Sequence, residues 1–122
     1  MSERLIHYKA IFVQDGQKDV VEYKEKGTYE IGDKHCISFV HDGIKIKITY
    51  DDIHVELKQG SSVLLLNRDH DVWNDYQLMY GTVTLRVKVC HLEVMDDSLK
   101  LKYELYDLNG LISSVYIIVT MI

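Results

Sequence analysis

The 122-residue chain contains no proline, where average usage would supply about six. Its turns must therefore be made by Gly, Asn and Asp, and "DG", "DD" and "NG" pairs do punctuate the chain. Helical periodicity is also missing; alternation with period two runs nearly from end to end. No apolar run approaches the roughly 20 residues of a membrane-spanning helix, so no membrane partner is expected. Basic excess is absent too. With 19 acidic against 14 basic side chains and a net charge of −5, the chain lacks the cationic face that displaces counterions from phosphates. No nucleic-acid partner is expected. Lys45, Lys47, Lys100 and Lys102 fall on outward parities and read as a solvated strand face. Cysteine is scarce: Cys36 and Cys90 are far apart, fit no zinc spacing, and read as free thiols of a reducing compartment. The opening "MSERLIHYKAIF" places polar residues where a signal peptide needs an apolar stretch. A cytoplasmic location is the expectation.

What is present is a succession of half-buried strand patterns. "LIHYKAIFVQ" puts Ile6, Tyr8, Ala10 and Phe12 on one side, and "DGQ" turns the chain. Val21 and Tyr23 share a parity in the next run, where Gly27 suggests a bulge or a sharp bend. Asp42-Gly43 is a type I′ hairpin signal, because both central residues of that turn need positive φ. Ile44, Ile46, Ile48 and Tyr50 then face in, followed by Ile53, Val55 and Leu57. "SVLLLN" and "VWNDYQLM" come next, the latter after the polar turn "NRDHD". Leu99, Leu101, Tyr103 and Leu105 form another inward row, and Asn109-Gly110 reads as a second I′ turn before "LISSVYIIVTMI". About eight to ten short strands with tight turns predict an all-β fold. An antiparallel up-and-down meander closing into a small barrel, one domain over residues 1–122, removes the exposed edges of such a sheet.

The stretch "YGTVTLRVKVCHLEV" alternates and then slips. Val83, Leu85, Val87 and Val89 hold one parity, Leu92 and Val94 the other. A strand this long would run roughly 45 Å, more than twice the usual length, and must bend. A β-bulge at Cys90-His91 supplies the bend and reverses the inward parity. The competing reading is chemical: His91-x-Glu93 offers two metal ligands on one face, with His35, Cys36 and His41 on a neighbouring strand. No spacing enforces the convergence that zinc needs, and no metal or cofactor is expected. Ser61-Ser62, Ser113-Ser114 and the cysteines lack a base and an orienting group in register, so no catalytic residue is assigned.

The second half of the chain resembles the YwiB-like family of small bacterial proteins. Tyr80, Gly81, Val83, Leu85 and Val87 fit its turn and first strand, Tyr103 and Leu105 its second, and Asn109-Gly110 its closing hairpin. Upstream, Gly27-Thr28-Tyr29, Ile46-Lys47-Ile48 and Gly60 fall where that family has similar residues. Leu78-Met79 stands where the family has Thr-Pro, and Lys58 where it often has Arg. The resemblance implies a calycin-like (lipocalin-like) β-barrel and carries over no catalytic residue.

Nine tyrosines against two phenylalanines is the strongest compositional bias. A ring with a polar tip suits a partly wet interior or a barrel rim. Tyr8, Tyr50, Tyr76 and Tyr103 are the inward candidates for contacting a small apolar or amphipathic ligand; they either line a pocket or plug it. In the second case the barrel acts through its surface, as an interaction module or a homodimer. The final strand, apolar on both faces (Ile112, Tyr116, Ile118 and Ile122; Val115, Ile117, Val119 and Met121), suits an interface.

Overall fold

A computed structural model describes residues 2–78 and 80–122; Met79 of the Leu78-Met79 pair lies outside the described residues. Ten strands follow one another: β1 (Ser2–Gln14), β2 (Gln17–Ile31), β3 (His35–His41), β4 (Ile44–Tyr50), β5 (His54–Gln59), β6 (Ser62–Asn67), β7 (Val72–Leu78), β8 (Gly81–Val94), β9 (Ser98–Asp107) and β10 (Gly110–Met121). They form one antiparallel sheet in the order β6-β5-β4-β3-β2-β1-β10-β9-β8-β7. Every neighbour is a sequential hairpin except β1–β10, where Ile6 opposes Met121 and Val13 opposes Ser114. The up-and-down meander is thus as expected, with the first and last strands paired in mid-sheet. The architecture fits a calycin-like barrel. No helix of the described residues is long and apolar enough to cross a membrane.

Alternation decides which side chains enter the barrel. Ile6, Ile37, Ile48, Val87, Leu99, Leu101 and Val119 are fully or almost fully buried, each on the inward parity of its strand. The slip in β8 is a bulge: Val89 opposes Tyr103 and His91 opposes Lys102, so Cys90 is the extra residue. Beyond it Leu92 and Val94 resume packing against the core. A second bulge places Ile112 as the extra residue between Leu111 and Ser113.

The turns separate into two kinds. Asp42 and Gly43 both have positive φ, 51° and 76°, as the I′ reading requires. The Asn109-Gly110 reading needs correction. The two turn residues are Leu108 and Asn109, neither of which has positive φ, and Gly110 (φ 127°) already opposes Asp107 as the first residue of β10. The carboxylate of Asp107 accepts the Asn109 N–H at 2.7 Å and organises the turn one residue earlier. Gly27 is also corrected in part, because β2 runs through it with no register shift. Its role is close approach: a Cβ there would sit 2.3 Å from the Ser38 carbonyl oxygen and 2.9 Å from the Phe39 Cβ.

Closure is completed by a side chain. The outer strands β6 and β7 share no backbone ladder. Instead the carboxamide of Asn74 bridges them: its Oδ1 accepts the Leu65 N–H and its Nδ2 donates to the Leu65 carbonyl, both at 2.8 Å. One amide thereby reproduces the donor–acceptor pair of a missing strand residue, and Asn74 is buried at 6% exposure. Burial of a carboxamide is tolerated only when its hydrogen bonds are made.

Candidate functional site

The two ends of the barrel differ. At the end where β2, β4 and β10 finish and β1 and β3 begin, the interior is stacked shut. The Tyr29 hydroxyl lies 2.7 Å from His35 Nδ1, and the His35 ring stacks on Tyr50 with centroids 4.8 Å apart and planes 8° from parallel. Arg4 caps the outside of Tyr29, its guanidinium 5.6 Å from the ring centre. Tyr50 is wholly buried there. Burial pushes its phenol well above the ordinary tyrosine range, and the adjacent Tyr29 adds to the shift. The following residue, Asp51, accepts the backbone N–H groups of His54 at 2.6 Å and Ile53 at 2.8 Å. These bonds, and the His54 ring beside them, hold its carboxyl down at about 2.

At the opposite end a cleft enters the barrel. Its centre, about 100 Å³, is lined by Tyr8, Phe12, Gln59, Tyr76 and Tyr103 over a floor that includes Ile48 and Ile117. Two lobes adjoin it and share Phe12 and Gln59 with it. One, about 300 Å³, extends past Tyr23 to Ile44 and His41; the other, about 310 Å³, extends to Leu105, Ile112 and Val115. Tyr8 stacks on Tyr23 at 5.1 Å, and Tyr23 in turn lies face to face with the His41 ring at 3.5 Å. His41 is held at the rim between two acids, with Nδ1 3.5 Å from Glu25 Oε1 and Nε2 3.4 Å from Asp42 Oδ2.

The phenols define what this cleft can do. Burial raises Tyr8 to about 12 and pushes Tyr103 further, with the neighbouring Tyr8 and Tyr76 adding to Tyr103. Burial raises Tyr23 as well, followed by Tyr8, Glu25 and Asp42. At neutral pH Tyr8, Tyr23 and Tyr103 are therefore uncharged O–H groups that donate and accept hydrogen bonds. Among the described residues, no protein group hydrogen-bonds the hydroxyls of Tyr8, Tyr76 or Tyr103. Tyr103 is 6% exposed and lines the cleft. A phenol with no protein partner keeps its donor and its acceptor sites open, so the cleft can hydrogen-bond a guest that supplies an acceptor.

Of the four inward tyrosines singled out from the sequence, Tyr8, Tyr76 and Tyr103 come together, and Tyr50 lies at the closed end. Parity alone could not place them along the barrel axis. Phe12, Tyr23 and Gln59 also line the cleft, each on the inward parity of its strand; the tyrosine count drew attention away from the other two. The residues of the competing metal reading lie on separated strands. β3, carrying His35, Cys36 and His41, is not a neighbour of β8 with His91 and Glu93; four strands separate them. Among the described residues no group of three or more His, Cys, Asp or Glu side chains is placed so that it could hold a metal ion. "NRDHD" is a polar turn in which Asn67 Oδ1 accepts the Asp69 N–H and Arg86 pairs with Asp71.

Comparison with known proteins follows the same outline. A family model described as "Domain of unknown function (DUF1934)" matches residues 6–118. The crystal structure of the ywiB protein from Bacillus subtilis superposes with a TM-score of 0.71 at 16% sequence identity, over 98% of this chain and 92% of that one. At that identity the likeness establishes the fold. No curated protein matches the chain. Both matches agree with the resemblance read from Tyr80-Gly81, Tyr103-x-Leu105 and Asn109-Gly110.

Proposed function

The chain belongs to the family described as a domain of unknown function (DUF1934), and from that premise we propose that it binds a small, partly apolar ligand at the open end of its barrel. The observation that carries this reading is Tyr103, a largely buried side chain that lines the cleft with Tyr8 and Tyr76 and whose hydroxyl has no protein partner among the described residues. Tyr50 has no part in it. The lower half of the barrel is filled by its own side chains, so the ligand sits in the mouth rather than in a through-channel. The lobes, at about 300 Å³ each, reach the lower end of the range of small-molecule sites. The chemistry offered is recognition by phenol hydrogen bonds and apolar contact, with Lys58 also in the lining of the centre and His41 and Asp42 in that of one lobe. Two free cysteines, Cys90 exposed and Cys36 half-buried, support a cytoplasmic setting.

Methyl-detected NMR during titration with small, partly apolar molecules tests the reading. The expected responses are at the Ile46, Leu64 and Ile117 methyls. Ser62→Trp, a plug at the half-buried rim, abolishes them. Responses confined to the outside of the barrel, or none at all, remove the proposal. A second reading, self-association, is supported by an outward apolar row: Val20 (51% exposed) opposes Ile11, which opposes Tyr116. Light scattering that finds only monomer at high concentration removes it.

A further inference from the structure

Main chain borders the gap in the barrel wall. The strands on either side of it, β6 and β7, are the two ends of the sheet and share no ladder. Successive residues of a strand point their main-chain groups to alternate sides. Gln59 and Ser62 close a tight turn on Gly60 and Ser61, so Ser62, Leu64 and Leu66 face β5. Val63, Leu65 and Asn67 therefore face the gap. The Asn74 carboxamide agrees with this parity, because it reaches both the N–H and the carbonyl of Leu65. It also shows what the edge accepts: an amide group, held at two points by main chain. Val63, on the same edge and nearer the mouth, presents the same donor–acceptor pair. Among the described residues no other strand or side chain takes it up. The cleft lies beside it, with Ser62 and Leu64 on one wall and Tyr76 on the other.

Exposed edges are ordinarily blunted by a charge, a proline or a bulge. β6 has none of these: its sequence is SVLLLN, and its ladder to β5 runs without a register shift. Val63 and Leu65, and Trp73 on β7, are exposed apolar side chains along the gap. Resting on the ligand-binding reading above, we infer that the ligand is a short extended peptide segment that adds to the free edge of β6 beside the cleft. Its residue opposite Val63 exchanges both main-chain hydrogen bonds and points its side chain outward. Side chains alternate across a strand, so the residues on either side of it point inward. Small apolar ones there enter the cleft near Tyr76 and Tyr103. In strand addition of this kind main chain supplies affinity, and pockets for alternate side chains supply selectivity.

The test compares the peptide acetyl-Ser-Val-Thr-Val-Ser-amide with the same peptide N-methylated at its threonine. Methylation removes the central N–H and keeps every side chain. In NMR titrations the parent peptide slows hydrogen exchange at the Val63 amide and shifts the Leu64 methyls. It binds about fivefold or more tightly than the methylated form, the equivalent of roughly one hydrogen bond. Val63→Pro, which removes the edge N–H and leaves the ladder to β5 intact, weakens the parent peptide at least as much. Equal binding of the two peptides, or binding without protection of Val63, overturns the added strand and leaves the ligand-binding reading standing. So does Val63 protection that rises with protein concentration alone, which assigns the edge to a second copy of the chain. If neither peptide nor any small, partly apolar molecule binds, both readings fall.

Discussion

The two ends of the barrel are made from the same materials, tyrosine stacked with histidine, and come to opposite results. At the closed end His35 lies flat against Tyr50 and meets the Tyr29 hydroxyl, so ring surface and one polar tip are used up internally. At the open end His41 lies flat against Tyr23 at the rim of the cleft, beside Glu25 and Asp42. The hydroxyls of Tyr8, Tyr76 and Tyr103 are left facing a cleft. The histidine's placement, inside the stack or on its rim, goes with whether an end is plugged or open. Tyr50 qualifies the contrast: its hydroxyl also lacks a hydrogen bond, but its side chain does not line the open-end cleft.

The largest test of this contrast is truncation. Tyr50→Ala removes a wholly buried ring and should cost about 3–5 kcal/mol in chemical denaturation, whereas Tyr8→Ala, beside the cleft, should cost roughly half as much. Equal losses would erase the distinction between the ends. Next, Asn74→Leu deprives the Leu65 N–H and carbonyl of their partners and should cost about 2–3 kcal/mol, with faster hydrogen exchange at the Leu65 amide. Unchanged exchange there would mean that the seam does not depend on this amide.

Acid sensitivity should belong to the closed end. Asp51 is held near 2, below its unfolded value of about 3.9. The folded state therefore favours the ionised form, and the stability it adds is complete above about pH 4 and lost as pH falls toward 2. Solvent screening limits this to about 1 kcal/mol. In Asp51→Ala the acid limb of the stability curve should flatten across that window; an unchanged limb would assign the acid sensitivity elsewhere. The smallest effect separates the hydroxyls. Tyr29→Phe loses the bond to His35 and should cost about 1 kcal/mol. Tyr76→Phe, with no protein partner to lose, should leave stability within about 0.5 kcal/mol of the parent. A cost at Tyr76 equal to that at Tyr29 would show that the open end is internally satisfied after all.

Much of this was legible in the sequence because a strand has only two faces. Period-two alternation gave the inward rows Ile44-Ile46-Ile48-Tyr50 and Leu99-Leu101-Tyr103-Leu105. Its interruption at Cys90-His91 located the β8 bulge. Depth along the barrel axis has no such pattern, so parity alone groups Tyr50 with three tyrosines from the far end. Asn74 gives no signal in the sequence for a related reason. A carboxamide on an inward parity looks like an ordinary polar strand residue until the strand it faces is known, and its partner is main chain. The Asn109-Gly110 pair points one residue too far along because the Asp107 side chain, not the dipeptide, organises the turn.

The location of the seam has a kinetic consequence. The outer strands β6 and β7 lie in the middle of the chain, while the terminal strands β1 and β10 pair at the centre of the sheet. Every ladder but that one joins sequence neighbours, so nearly all of the loop-closure entropy of folding falls on β1–β10. A circular permutant opened between Arg68 and Asp71, with Ser2 linked to Met121, would list its strands in the order in which they sit in the sheet. Each ladder would then be a hairpin or a short linker, contact order would fall, and refolding should accelerate at little cost in stability. The barrel would become a linear meander whose new ends are the edges it already has.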